Sequence, residues 1–141
     1  MIYYKEGYLY QTTRMWIYDT GIIPPKPVFL RYYTLNMEGR LVLDVGFAWD
    51  GATWCPEWLV TPEMSAPHDA FCQLMRANIL PYDTYAPQVH GLLGKMVAER
   101  WGSFVGAGVR NAVTLAKGGH PSNADDNPEL TDPKQENKNG N

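Results

Sequence analysis

"GFAWDGATWCPEWLVTPEMSAPHDAF", residues 46–71, is where the chain changes its period. Before Asp50, aromatic and β-branched residues recur in partial alternation, which is the composition of a sheet. After it, Thr61, Pro62 and Glu63 set a hydroxyl N-cap, a proline at the first helical position and an acid in the first turn, the pattern of a helix start. Asp50-Gly51 between them is turn chemistry. The boundary predicts an α+β fold, with a small N-terminal antiparallel sheet followed by about three helices.

Working back from the boundary, strand composition covers Tyr8 to Tyr18 and Val28 to Phe47. "GIIPPKP" (Gly21 to Pro27) is a connection, because its three prolines would leave ladder donors missing. "NMEGR" (Asn36 to Arg40) places Gly39 for a hairpin turn. Working forward, the first helix is expected from Thr61 to about Asn78 and a second from about Pro87 to Trp101. A third follows Gly102 and ends at Gly118-Gly119. Gly102 and Gly106 are spaced for close packing against a neighbouring helix.

The 141 residues suffice for one domain with one core, expected over residues 1–117. Residues 118–141 hold five acids against two lysines and almost nothing apolar, the composition of a disordered, polar, acidic tail. The formal charge of -3 therefore comes from the tail, and the remaining chain, with ten acids and ten bases, is neutral. No basic stripe is present to track phosphates, which argues against nucleic-acid binding. "MIYYKEGYLYQ" lacks an apolar signal core, and "WGSFVGAGVRNAVTLAKGG" is broken by Arg110 and Asn111, so neither export nor a transmembrane segment is expected. Cys55 and Cys72 are expected as reduced thiols, too few for a disulfide framework or a four-cysteine zinc site.

Helical spacing puts Met64, His68, Phe71 and Met75 on one stripe and Ser65, Asp69, Cys72 and Arg76 on the next. His90 shares a stripe with Leu93, Val97 and Trp101. Two inward-facing histidines on consecutive helices are thus in a position to meet. Each alone reads most simply as a buried neutral imidazole. Together, a carboxylate leaving a strand at Asp50, a Gly-Ala-Thr turn and a His-Asp pair supply a general base and hard oxygen ligands.

"GFAWDGATWCP" followed by "APHDAF" resembles the Domain of Unknown Function 1353 family of bacteriophages and prophages. That family's pattern is a glycine-phenylalanine, an Asp-Gly-Ala-Ser turn, a proline, and an alanine-rich helix start bearing His-Asp. The resemblance covers about Tyr8 to Lys117. Thr53 stands where serine is usual, one extra residue precedes Pro56, and His90 falls near a position where the family has aspartate. More distantly, the Asp-Gly turn and His-Asp helix are similar to small bacterial phospholipases of the A-two class. That resemblance implies a calcium ion held by Asp50, Asp69 and the Gly51 carbonyl, with His68 activating a water and Asp83 the candidate acid to orient it. Such a metal would polarise an ester carbonyl and stabilise the oxyanion. Ala52 replaces the tethering cysteine of the bacterial loop, and no cysteine stands directly before His68. His90 would instead favour zinc or manganese on His68, His90 and one carboxylate.

Two classes of function follow. One is a phage-encoded, metal-assisted hydrolase of an ester or related bond, on a small or lipid-like substrate. The other is a non-enzymatic phage protein, a virion component or a binder and inhibitor of a host factor, in which the same residues form a structural hydrogen-bond network. Either places the protein in the host cytoplasm or the virion. An open cleft at His68 and Asp50 would favour the first class, and a sealed network the second.

Overall fold

The computed structural model describes residues 2–5, 8–51 and 56–123. Among these residues seven short strands come first: β1 Ile2–Lys5, β2 Tyr8–Thr12, β3 Trp16–Asp19, β4 Val28–Phe29, β5 Tyr33–Leu35, β6 Arg40–Leu43 and β7 Ala48–Trp49. Three α-helices follow among the described residues: α1 Pro62–Arg76, α2 Tyr82–Trp101 and α3 Ser103–Leu115. The fold class is α+β, as the change of period at Asp50 implies. The chain divides into two compact units, one holding the strands through Asp50 and the other the helices from Gly51 onward.

In the strand unit the pairings among the described residues are antiparallel and form two small sheets, ordered β1-β2-β7 and β3-β6-β5-β4. The expected hairpin at Gly39 joins β5 and β6. Asn36 Oδ1 accepts from the backbone N–H groups of Glu38 and Arg40, each at 2.9 Å, and so ties the turn. Gly39 takes φ 82°, and a Cβ there would stand 3.0 Å from the Gly21 backbone, so glycine is needed for both conformation and space. Leu35, Leu41, Leu43, Phe47 and Trp49 are sealed inside this unit. Phe47 stacks on Trp49 with ring centroids 5.6 Å apart, which anchors the strand immediately before Asp50.

In the helical unit α1 starts where Thr61-Pro62-Glu63 predicts, although the Thr61 side chain makes no capping bond. The helix stops two residues before the expected Asn78, because Asn78 adopts the left-handed φ of 58°. Bonds from Asn78 N to Met75 O and from Ile79 N to Leu74 O close it as a Schellman motif. α2 begins at Tyr82, five residues earlier than the sequence pattern suggests, with Pro81 as its N-cap and Pro87 inside it. Pro87 lies only in the second turn, where the helix gives up a single backbone donor. Lys117, at φ 54°, ends α3 by the same motif used in α1.

α2 and α3 meet through glycines. A Cβ on Gly106 would lie 2.4 Å from the Gly94 carbonyl and 2.7 Å from the Ala98 Cβ. Gly106 thus makes the close approach that its spacing suggested, while Gly102, at φ 101°, is the joint between the helices. Val60, Met64, Leu93, Val97, Val109 and Val113 form the core of this unit. Residues 118–123, which composition assigns to the tail, carry structure. Gly119 is buried against Met75 and Cys72, and a 3-10 turn spans Pro121–Asn123. The tail expectation for 124–141 lies outside the described residues. Among those described, no helix is long and apolar enough to cross a membrane.

Candidate functional site: a buried histidine pair

α1 carries His68, Asp69 and Cys72, and α2 carries His90. The helical period turns His68 inward, as predicted, and α2 brings His90 to it. His68 Nε2 and His90 Nδ1 are 3.1 Å apart, with ring centroids at 5.3 Å. Both rings are sealed, His68 at 8% exposure and His90 at 1%. On the far side of His68, Nδ1 lies 3.8 Å from Asp69 Oδ1, an ionic contact too long for a hydrogen bond. The other oxygen of Asp69 accepts from the Gly51 backbone N–H at 3.2 Å. Gly51 therefore engages Asp69 through its amide, whereas the calcium expectation uses its carbonyl.

Cys72, one helical turn beyond His68, is buried next to the ring. Its Sγ is almost equidistant from the two ring nitrogens, at 3.7 Å from Nδ1 and 3.8 Å from Nε2. A sulfur lying on one N–H axis would be far from the other nitrogen, so Cys72 faces the ring without a directed hydrogen bond. The sequence reading set Cys72 on a neighbouring stripe and gave it no role. The i, i+4 spacing from His68 was the available signal.

Two buried imidazoles this close cannot both carry charge, and their surroundings decide which one does. Burial alone opposes charge on His68, but the Cys72 sulfur and the Asp69 carboxylate outweigh it and push the pKa up to about 10. His90, buried and facing the charged ring, is pushed down to about 4, against an opposing pull from the Gly118 backbone. Near neutral pH, then, His68 is the cation and donates from Nε2, and His90 Nδ1 accepts. That leaves the His90 proton on Nε2, which is buried and makes no hydrogen bond of normal geometry.

The other candidates fall in several places. Asp50 is half-buried, one residue past β7 in the strand unit. Asp83 lies in the first turn of α2 and lines a cleft that also reaches His90. Ala52, Thr53 and Cys55 lie outside the described residues. Among the described residues, no group of three or more His, Cys, Asp or Glu side chains is gathered to hold a metal ion. No protein family, curated protein or solved structure matches the chain.

Proposed function

We propose that the protein is a phage-encoded binding protein, in which Asp69, His68 and His90 form a structural chain of charge and hydrogen bonds. The observation that carries this reading is the sealing of His68, which is 8% exposed and spends Nε2 on His90. A general base needs a free lone pair within reach of a water, and a buried, charged imidazole has none to offer. The phage setting rests on the resemblance of the Asp-Gly turn and the His-Asp helix.

Partner recognition by a phage or host protein has support at the C-terminal end of α2. Trp58 and Trp101 meet edge to face at 5.6 Å, and the Arg100 guanidinium stands 5.3 Å from the Trp101 ring centre. Trp58 is 65% exposed and Phe104 is 93% exposed. Tryptophan and arginine dominate the energetic centres of protein interfaces. A second reading, the hydrolase, is favoured by one observation, that Asp83 and His90 line the same cleft. Calcium at Asp50, Gly51 and Asp69, or zinc or manganese at His68 and His90, belongs to that reading.

The test is hydrolysis of a panel of nitrophenyl esters by the parent and by His68→Gln, with calcium, zinc or manganese added singly. No turnover above background is expected. Turnover that disappears in His68→Gln would overturn the binding reading. In parallel, a partner captured by the parent should be lost when Trp58 and Trp101 are both changed to alanine.

A further inference from the structure

Between the N-terminal turns of α2 and the C-terminal turns of α3 lies a cleft of about 530 Å³. Its volume falls in the range of sites for small molecules. Arg110, Asn111 and Thr114 line it from α3, and Tyr82, Asp83 and His90 from α2. Ala86 and Pro87 add an apolar wall. The Tyr82 ring is held from behind by His120, edge to face at 4.7 Å.

Arg110 brings a cationic, donor-only group to this lining, while Tyr82, Asn111 and Thr114 can donate or accept. No carboxylate pairs with the Arg110 guanidinium among the described residues. The Asn111 carboxamide is next to it in the chain. His90 is 1% exposed, its Nδ1 is taken by His68, and its Nε2 makes no hydrogen bond of normal geometry, although the Gly118 backbone lies beside the ring. A buried donor with a poorly aligned acceptor is under-satisfied, and an incoming oxygen would complete its hydrogen bonding. Among the described residues Asp83 is the one carboxylate on the lining, and it sits in the first turn of α2, where the helix N-terminus balances its charge.

We propose that this cleft binds a small organic anion, a carboxylate or phosphate ester with an apolar body. Arg110 and Asn111 take the anionic head, an acceptor oxygen faces His90, and the body lies along Tyr82 and Pro87. The planar guanidinium suits both anions, since each offers two oxygens to its fork. The assignment holds whether or not the bound molecule is turned over, so it stands apart from the choice between binding protein and hydrolase.

The experiment is an NMR titration of the full chain with sodium benzoate and, separately, with inorganic phosphate, following the Arg110 Nε–H and His90 ring signals. Saturable shifts of both signals are expected. Arg110→Gln should weaken the dissociation constant by about tenfold or more, as loss of a charge-assisted hydrogen bond implies. Arg110→Lys should restore part of the affinity, and Arg31→Gln, which removes a cation from the strand unit, should change nothing. Tighter binding of benzoate would identify a carboxylate ligand, and tighter binding of phosphate a phosphate ester. Because Arg110 is exposed, its variants should keep the parent's melting midpoint, and Asn111→Ala provides an independent second variant. The proposal is overturned if neither anion moves the cleft signals, or if Arg110→Gln and Arg31→Gln weaken binding alike.

Discussion

Stability against pH probes the two coupled rings directly. The folded pKa of His90 is depressed to about 4 from 6.5, so between those values the unfolded chain binds a proton that the folded chain does not. The stability tied to this ring is complete above the unfolded pKa and is lost as the pH falls toward the folded one. His68 runs the other way. Its folded pKa is raised from 6.5 to about 10, so its contribution is complete below the unfolded value and is lost as the pH rises toward the folded one. One proton over one pH unit is worth about 1.4 kcal/mol. The acid limb then amounts to about 3 kcal/mol and the alkaline limb to at most about 5 kcal/mol, with a maximum near the ordinary histidine pKa. Both are large against a domain stability of about 5 to 15 kcal/mol. The assay is urea denaturation followed by tryptophan fluorescence from about pH 5 to about pH 9. Two variants separate the limbs. His90→Asn keeps an acceptor near the place of Nδ1 and should flatten the acid limb while leaving the alkaline one. His68→Gln keeps a donor near the place of Nε2 and should remove the alkaline limb, while the acid limb shrinks but persists because burial, the larger cause, remains. A parent curve that is flat across this range, or a limb that survives the loss of its assigned ring, would refute the shared-proton picture.

The crossing of α2 and α3 predicts opposite effects for two glycines that are two residues apart and so on different sides of α3. Gly106→Ala would force a Cβ to within 2.4 Å of the Gly94 carbonyl and should cost about 1 to 3 kcal/mol, read as a lower thermal midpoint. Gly108→Ala meets nothing within 4 Å and should stabilise α3 by up to about 1 kcal/mol. Chelation followed by calcium, zinc or manganese should leave the midpoint within about 2 °C, because one Asp69 oxygen is on the Gly51 amide and the other faces His68. An ion at about a hundred times its dissociation constant would add about 2.7 kcal/mol. A rise of that size, abolished by Asp69→Asn, would reinstate the metal-assisted hydrolase.

Short-range signals in this chain were legible because the forces behind them are short-range. The change of period around Asp50, the hairpin at Gly39 and the start of α1 at Pro62 each depend on a few neighbouring residues. The inward face of His68 followed from helical geometry alone. Local signals were less reliable at helix ends. Asn78 and Lys117 supply the left-handed residues that close α1 and α3, where glycine or a longer helix was the simpler expectation. α2 runs through Pro87 because its missing N–H is tolerated so near the start of the helix.

By itself, then, the sequence determined the α+β class, the order of elements and which histidines face inward. Only the tertiary structure decided what those histidines do. The meeting of His68 with His90 depends on how α1 lies against α2, and the cleft depends on the crossing of α2 and α3 at Gly94 and Gly106. The position of the proton depends on all of these together. Burial removes water from both rings, Asp69 and Cys72 favour charge on His68, and burial together with that charge holds His90 neutral. Those interactions act through space between residues far apart in the chain, so no local pattern of residues could specify them.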